Sequence, residues 1–206
     1  MTPAEEDIVF HFQLGKAITE WANVENTLRS ILCACFDKGE NSINWNSLSV
    51  GLFSIDAFRA KMDFVEGAVL RRYPKHKEKW GALVKRARSD SGLRNKLAHW
   101  SVKEYPQSTP GRRFVLIPWT YPKPKKKTKK PMPPDGSLGL RDVYKMRLEF
   151  IALATALYNF FCLLQEGQEP LEAYLEQPMN PPPIATLRAQ ILEGLAHQLQ
   201  PSEKKT

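Results

Sequence analysis

Apolar side chains recur at alternating steps of three and four along four stretches of the chain, the spacing that lays them on one face of an α-helix. The first stretch runs from about Ile8 to Phe36. In it Leu14, Ala17, Trp21, Val24, Leu28, Ile31 and Cys35 form an unbroken stripe, and Asp37, Lys38 and Gly39 supply the stop. The second opens at Ser54, read as an N-cap with Asp56 in the first turn, carries Ile55, Phe58, Met62, Val65 and Val69, and closes at Pro74. The third spans Lys75 to Trp100, with Trp80, Leu83, Val84 and Ala87 before the polar cluster Ser89-Asp90-Ser91-Gly92 and Leu93 and Leu97 after it; such a cluster can end one helix and cap another. The fourth, Leu140 to Gln165, has the widest apolar face, built on Val143, Met146, Phe150, Leu153, Leu157, Phe160 and Leu164, and is expected at the centre of the fold.

Between the third and fourth stretches lie 39 residues, Ser101 to Gly139, that hold eight of the 16 prolines and so cannot be a helix. Within them Arg113-Phe114-Val115-Leu116-Ile117 reads as a strand, and a hairpin across Pro106 to Gly111 would pair it with Val102 to Tyr105. Beyond Gln165 come a proline-rich connector ending at Asn180-Pro181-Pro182-Pro183 and a shorter amphipathic stretch with Ile184, Leu187, Ile191, Leu195 and Leu199. The pattern predicts an all-α, up-and-down helical bundle over 1–165, with a Pro/Lys-rich insert over 101–139 that contains the candidate β-hairpin, and a connector with an amphipathic helix over 166–206.

Charge changes this picture at one place. The chain carries +8, and the window from Tyr105 to Pro134 holds six Lys, two Arg and no acid, so it accounts for all of the excess. The rest is neutral. A neutral globule with one basic insert points to a polyanionic partner at a defined place. Lys123, Lys125, Lys126, Lys127, Lys129, Lys130, Arg112 and Arg113, with Phe114, Trp119 and Tyr121 among them, have the make-up of a nucleic-acid contact, phosphates met by cations and bases by rings. The same composition also suits a solvated loop whose rings pack on the bundle.

Cys33, Cys35 and Cys162 are sparse, odd in number and without C-x-x-C spacing, which fits a reducing compartment, and the acidic N-terminus has no signal-peptide character. A cytoplasmic protein is expected. The uncharged run Phe150 to Leu164 has 15 residues, short of the roughly 20 that span a bilayer, so no membrane association is anticipated. The sequence has no P-loop, dinucleotide fingerprint, nucleophile elbow or H-E-x-x-H motif, and neither a cofactor nor a metal site is expected. His11, His76 and His197 stand alone among ordinary helical neighbours.

One heptapeptide stands apart: Arg94-Asn95-Lys96-Leu97-Ala98-His99-Trp100. Asn95 and His99, four apart, share a helix face, where an amide can orient an imidazole. Arg94 is five before His99 and is turned from it by about 140°. If two such helices met across a two-fold axis, an arginine from one copy could face a histidine from the other, making a shared site. If Ser89 to Gly92 starts a helix, Arg94 and Asn95 fall in its first turn, where backbone N–H groups attract phosphate.

The run RNKLAH, the helical pattern around it, WANVENTL with Trp21 and Glu25 in the first stretch, and Phe58-Arg59-Ala60-Lys61 in the second resemble the HEPN superfamily (higher eukaryote and prokaryote nucleotide-binding domains), whose motif is R-x(4-6)-H. The likeness covers roughly residues 8–165. It implies a metal-independent endoribonuclease, of the kind that serves as a toxin or defence effector, acting as a homodimer whose motifs meet at the interface, with an antitoxin or nucleotidyltransferase as a further partner. It also implies roles. His99 would be the acid-base group at the ribose 2′-hydroxyl or the leaving 5′-oxygen, work that an imidazole's ordinary pKa of about 6.5 suits. Arg94 would clamp the scissile phosphate, and Asn95 would hold the ring or a phosphate oxygen. Glu25 flanks the first stripe and is either solvated or an orienting group for Arg94 or His99. The products would be 2′,3′-cyclic phosphate and 5′-hydroxyl ends. The competing reading is a non-catalytic RNA- or nucleotide-binding or interaction module.

Overall fold

A computed structural model describes residues 2–36, 45–106, 108, 111–119 and 133–165. The Lys123 to Lys130 arm, the connector and the stretch from Ile184 to Leu199 lie outside the described residues. The fold is mainly helical with a two-stranded sheet: α1 (Pro3–Phe36), α2 (Trp45–Phe53), α3 (Phe58–Arg72), a short 3-10 turn (Pro74–His76), α4 (Lys77–His99), β1 (Trp100–Glu104), β2 (Phe114–Pro118) and α5 (Leu140–Leu164). It divides into two compact units, whose described residues fall within 2–15 and 99–145 for the first, and within 16–98 and 146–165 for the second.

The first unit contains the insert. α1 starts at Pro3 rather than at Ile8 because Thr2 and Glu5 form a capping box: the Thr2 hydroxyl accepts from the Glu5 N–H at 3.3 Å and the Glu5 carboxylate accepts from the Thr2 N–H at 2.7 Å. The hairpin is antiparallel, with Trp100 opposite Pro118, Val102 opposite Leu116 and Glu104 opposite Phe114. Leu138 adds an isolated bridge to Leu116. Gly139 precedes α5, and a Cβ there would come within 2.7 Å of the Gly111 carbonyl, so the backbones approach this closely only with glycine.

Glu6 ties α1 to the hairpin loop. Its side chain is 2% exposed and one carboxylate oxygen accepts from the backbone N–H of Gly111 at 2.9 Å and of Arg113 at 3.1 Å. A buried carboxylate needs such donors, and these two N–H groups have no ladder partner at the loop. Glu6→Ala is expected to cost about 3 kcal/mol, since it removes two charge-assisted bonds and strands two donors. Denaturant unfolding of the variant checks this, and Glu6→Gln, which keeps an acceptor oxygen, is expected to recover most of the loss.

The second unit is the helical core. Trp21 of α1 packs on Phe58 of α3 and Phe150 of α5, with ring centroids 4.7 and 5.1 Å apart, and Trp80 of α4 lies 5.1 Å from Phe160 of α5. Most of the predicted stripe residues of this unit are buried, Ala17, Trp21, Val24, Leu28 and Ile31 on α1, Met62, Val65 and Val69 on α3, and Met146, Phe150, Leu153, Leu157 and Phe160 on α5, whereas Ile55, Phe58, Leu83 and Leu93 are half-buried. α5 is long and apolar enough to cross a membrane by length and composition only, with a mean hydropathy of 1.5 over its apolar window. Those buried residues also make it a core helix.

Two further boundaries differ from expectation. Ser54 does not cap the second stretch: its hydroxyl and N–H both return to the Val50 carbonyl, at 2.7 and 2.9 Å, and close α2, while α3 begins after Ala57 without a side-chain cap. Ser89 to Gly92 does not break the third stretch. α4 runs through it because Asp90 points inward to the Arg86 guanidinium at 3.6 Å and the Ser91 hydroxyl donates back to the Arg88 carbonyl at 2.7 Å, so neither frees its side chain to cap a new helix.

Candidate active site

α4 carries Arg94 in the second unit and ends on His99 in the first. Because the helix is continuous from Lys77, Arg94 and Asn95 are near its C-terminal end, and the expected phosphate site at a helix N-terminus does not exist there. Arg94 is half-buried, whereas Asn95 and His99 are exposed. The Arg94 guanidinium makes a long 3.4 Å contact to the Asn95 side-chain oxygen. Among the described residues no hydrogen bond joins Asn95 to His99, so Asn95 neighbours the arginine and does not orient the imidazole.

Arg94 lines a cavity of about 290 Å³ with Trp21, Glu25, Phe53, Leu97 and Phe150. The walls are mostly apolar with one cation and one carboxylate, a pattern common in small-ligand sites, and the volume is at their lower limit. Glu25 is on this wall, as a structural anchor. One of its oxygens accepts from the Lys61 ammonium at 2.8 Å and the other from the Trp21 indole N–H at 2.9 Å. Lys61 also lies 5.4 Å from the centre of the Phe53 ring. Glu25 is thus committed to Lys61 and Trp21, not to Arg94 or His99. The lysine of the Phe58-Arg59-Ala60-Lys61 segment was the missed member of this arrangement; its signal was a charged residue on the apolar stripe of α3, beside Met62.

Deeper in α4, Arg86 is shared by Asp90 at 3.6 Å and by Glu149 of α5 at 3.4 Å. Burial raises the Asp90 carboxyl above its ordinary value, Arg86 pulls it back, and Glu149 adds to the rise. A carboxyl raised on folding favours the folded state most when protonated. Measured against Asp90→Asn, wild-type stability is therefore expected to fall as pH climbs from about 3.8 through the raised value, and to be flat above it. Unfolding of both proteins across that range tests the sign; a difference that grows with pH contradicts it.

Of the eight candidate nucleic-acid-binding cations of the insert, Arg112 and Arg113 are among the described residues. The exposed Arg112 donates to the Ser137 hydroxyl at 3.0 Å, and Arg113 is half-buried at the start of β2. Trp119, next to β2, is 83% exposed and free to stack. Lys123, Lys125, Lys126, Lys127, Lys129 and Lys130 fall outside the described residues. Cys33, Cys35 and Cys162 are buried thiols outside any disulfide, and burial pushes Cys35 up to about 12, so it is no nucleophile at neutral pH. Among the described residues no three His, Cys, Asp or Glu side chains gather where they would hold a metal ion.

The chain matches no protein-family model, no curated protein and no solved structure.

Proposed function

We propose that the protein is a metal-independent endoribonuclease of HEPN type that works as a homodimer, with Arg94 and His99 in its active site. The observation that carries this reading is a single helix, α4, that presents an exposed imidazole at its end and, five residues earlier, a half-buried guanidinium on the wall of a ring-lined cavity. In the reaction an imidazole takes the 2′-hydroxyl proton as O2′ attacks phosphorus. The P–O5′ bond breaks, the 5′-oxygen is protonated by an imidazolium, and a 2′,3′-cyclic phosphate and a 5′-hydroxyl remain. Arg94 meets the charge that builds on the non-bridging oxygens through its two-pronged guanidinium. The basic insert, with exposed Trp119 beside it, captures RNA. A cytoplasmic toxin or defence effector with a protein antitoxin is the setting that fits this activity.

One observation favours a second reading, an RNA- or nucleotide-binding module without catalysis: Asn95 contacts Arg94, and among the described residues no side chain hydrogen-bonds the His99 ring. Incubation of end-labelled RNA with the EDTA-treated protein separates the two. Cutting supports the nuclease. Intact RNA together with tight, salt-dependent binding supports the module.

A further inference from the structure

A second cleft of the helical core shares no residue with the cavity at Arg94. It has a volume of about 650 Å³ and lies where the end of α1 meets α3, a junction held by the Tyr73 hydroxyl, which donates to the Ala34 carbonyl at 3.1 Å. From α3 it takes Asp63, Phe64, Gly67, Ala68, Arg71 and Arg72, positions three and four apart that share one side of the helix. Phe36 completes it from α1.

Three features of this cleft belong together. The rings of Phe64 and Phe36 are exposed, 46% and 36%. Both guanidiniums are exposed, and the carboxylates of this helix are already used: Arg88 holds Asp63 at 2.6 Å and Glu66 at 2.9 Å. The floor is small, and a Cβ on Gly67 would meet nothing within 4 Å, so the space above it is open. Basic residues in a last helical turn complement the helix dipole, which explains Arg71 and Arg72 but neither the exposed rings nor the open floor. Cys35, also on the wall, stays a neutral thiol and offers no nucleophile.

We propose that this cleft is a nucleotide-binding subsite, in which Arg71 and Arg72 hold phosphate and Phe64 and Phe36 stack a base. Cations that track phosphates beside rings that receive bases are the general means of gripping single-stranded nucleic acid. The inference goes beyond the cleavage reading and does not need it, because the subsite binds and does no chemistry.

The test uses the full chain and a short labelled 2′-O-methyl oligoribonucleotide, which lacks the attacking hydroxyl and so reports binding whether or not the protein cuts. Arg71→Gln with Arg72→Gln is expected to weaken binding about tenfold. It is also expected to flatten the salt dependence by about 1.4 in log–log slope, two contacts at roughly 0.7 each for a single strand. Gly67→Leu fills the floor at a position where a side chain meets no obstacle and helix propensity rises, so it is expected to weaken binding at an undiminished melting temperature. Competition by adenosine monophosphate distinguishes the source: displacement of the oligonucleotide from wild type, but not from the arginine variant, marks a site for free nucleotides, and its failure marks a site for the polymer. Parental affinity and salt slope in the double arginine variant, or parental affinity in Gly67→Leu, overturns the proposal.

Discussion

His99→Ala is expected to reduce RNA cleavage by about 10²- to 10⁴-fold, the usual contribution of one positioned acid-base group. The same change is expected to move the melting temperature little, because the imidazole is exposed at the end of α4 and substitutions at such positions fall within about 0.5 kcal/mol. Loss of activity without loss of fold distinguishes a chemical role from a packing role. Arg94→Lys sharpens the contrast. It keeps the charge and loses the planar fork, so it is expected to lower turnover more than RNA affinity, whereas Lys123→Ala in the basic insert is expected to weaken RNA affinity alone. Single-turnover cleavage across a range of protein concentrations, paired with thermal melts, reads all three. Wild-type cleavage by folded His99→Ala would remove His99 from the mechanism.

The second large effect concerns stability. Lys61 is an ammonium with a side chain only 11% exposed, and Glu25, with 17%, is the carboxylate that neutralises it while also accepting from the Trp21 indole. Removing one member of a buried pair leaves the other charged and desolvated. Glu25→Ala is accordingly expected to cost about 3 kcal/mol. Replacing both partners by apolar side chains of similar size, Glu25→Leu with Lys61→Met, is expected to cost less than Glu25→Ala alone, because no uncompensated charge is left behind. Denaturant unfolding of the single and double variants measures this. Equal or additive losses in the double variant would mean that the pair contributes through packing rather than charge. Since Glu25 and Arg94 share a cavity wall, the single variant is also expected to lose cleavage in proportion to its unfolded fraction and no further.

These partnerships mark where the sequence was legible and where it was not. The stripes on α1, α3, α4 and α5 were readable because burial imposes a helical period on apolar side chains, and the hairpin was readable because Phe114 to Pro118 is short, apolar and bounded by Gly111 and Pro118. α2 was not. WNSLSVGLF has two serines and a glycine, among its described side chains only Leu52 is fully buried, and nine residues are too few to set a long stripe. The start of α1 was legible in principle, since Thr2 and Glu5 have capping-box spacing, but the stripe alone places it several residues too late. Ser89 to Gly92 looked like a break because Ser, Asp and Gly favour caps; whether Asp90 caps or turns inward depends on Arg86 and on Glu149, 59 positions further along.

The candidate site was legible to the same depth. Spacing alone identified Arg94, Asn95 and His99, and it placed Asn95 on the His99 face. It carried no information about the guanidinium one residue away, which is the group that Asn95 meets. Glu25 stood out as an acid beside an apolar stripe, yet its partner Lys61 is 36 residues distant and joins it only once α1 and α3 pack. Long-range pairings of charged side chains are set by packing, and a local pattern does not encode them.

The central claim, that Arg94 and His99 drive transphosphorylation by the ribose 2′-oxygen, is tested most directly by the chemistry of the product ends. RNA cut by the EDTA-treated protein is analysed by mass spectrometry for both new termini. The account predicts a 2′,3′-cyclic phosphate on one fragment and a 5′-hydroxyl on the other, with no cutting at a site whose 2′-hydroxyl is methylated. A 3′-hydroxyl paired with a 5′-phosphate, or cutting that persists at the methylated position, would contradict it.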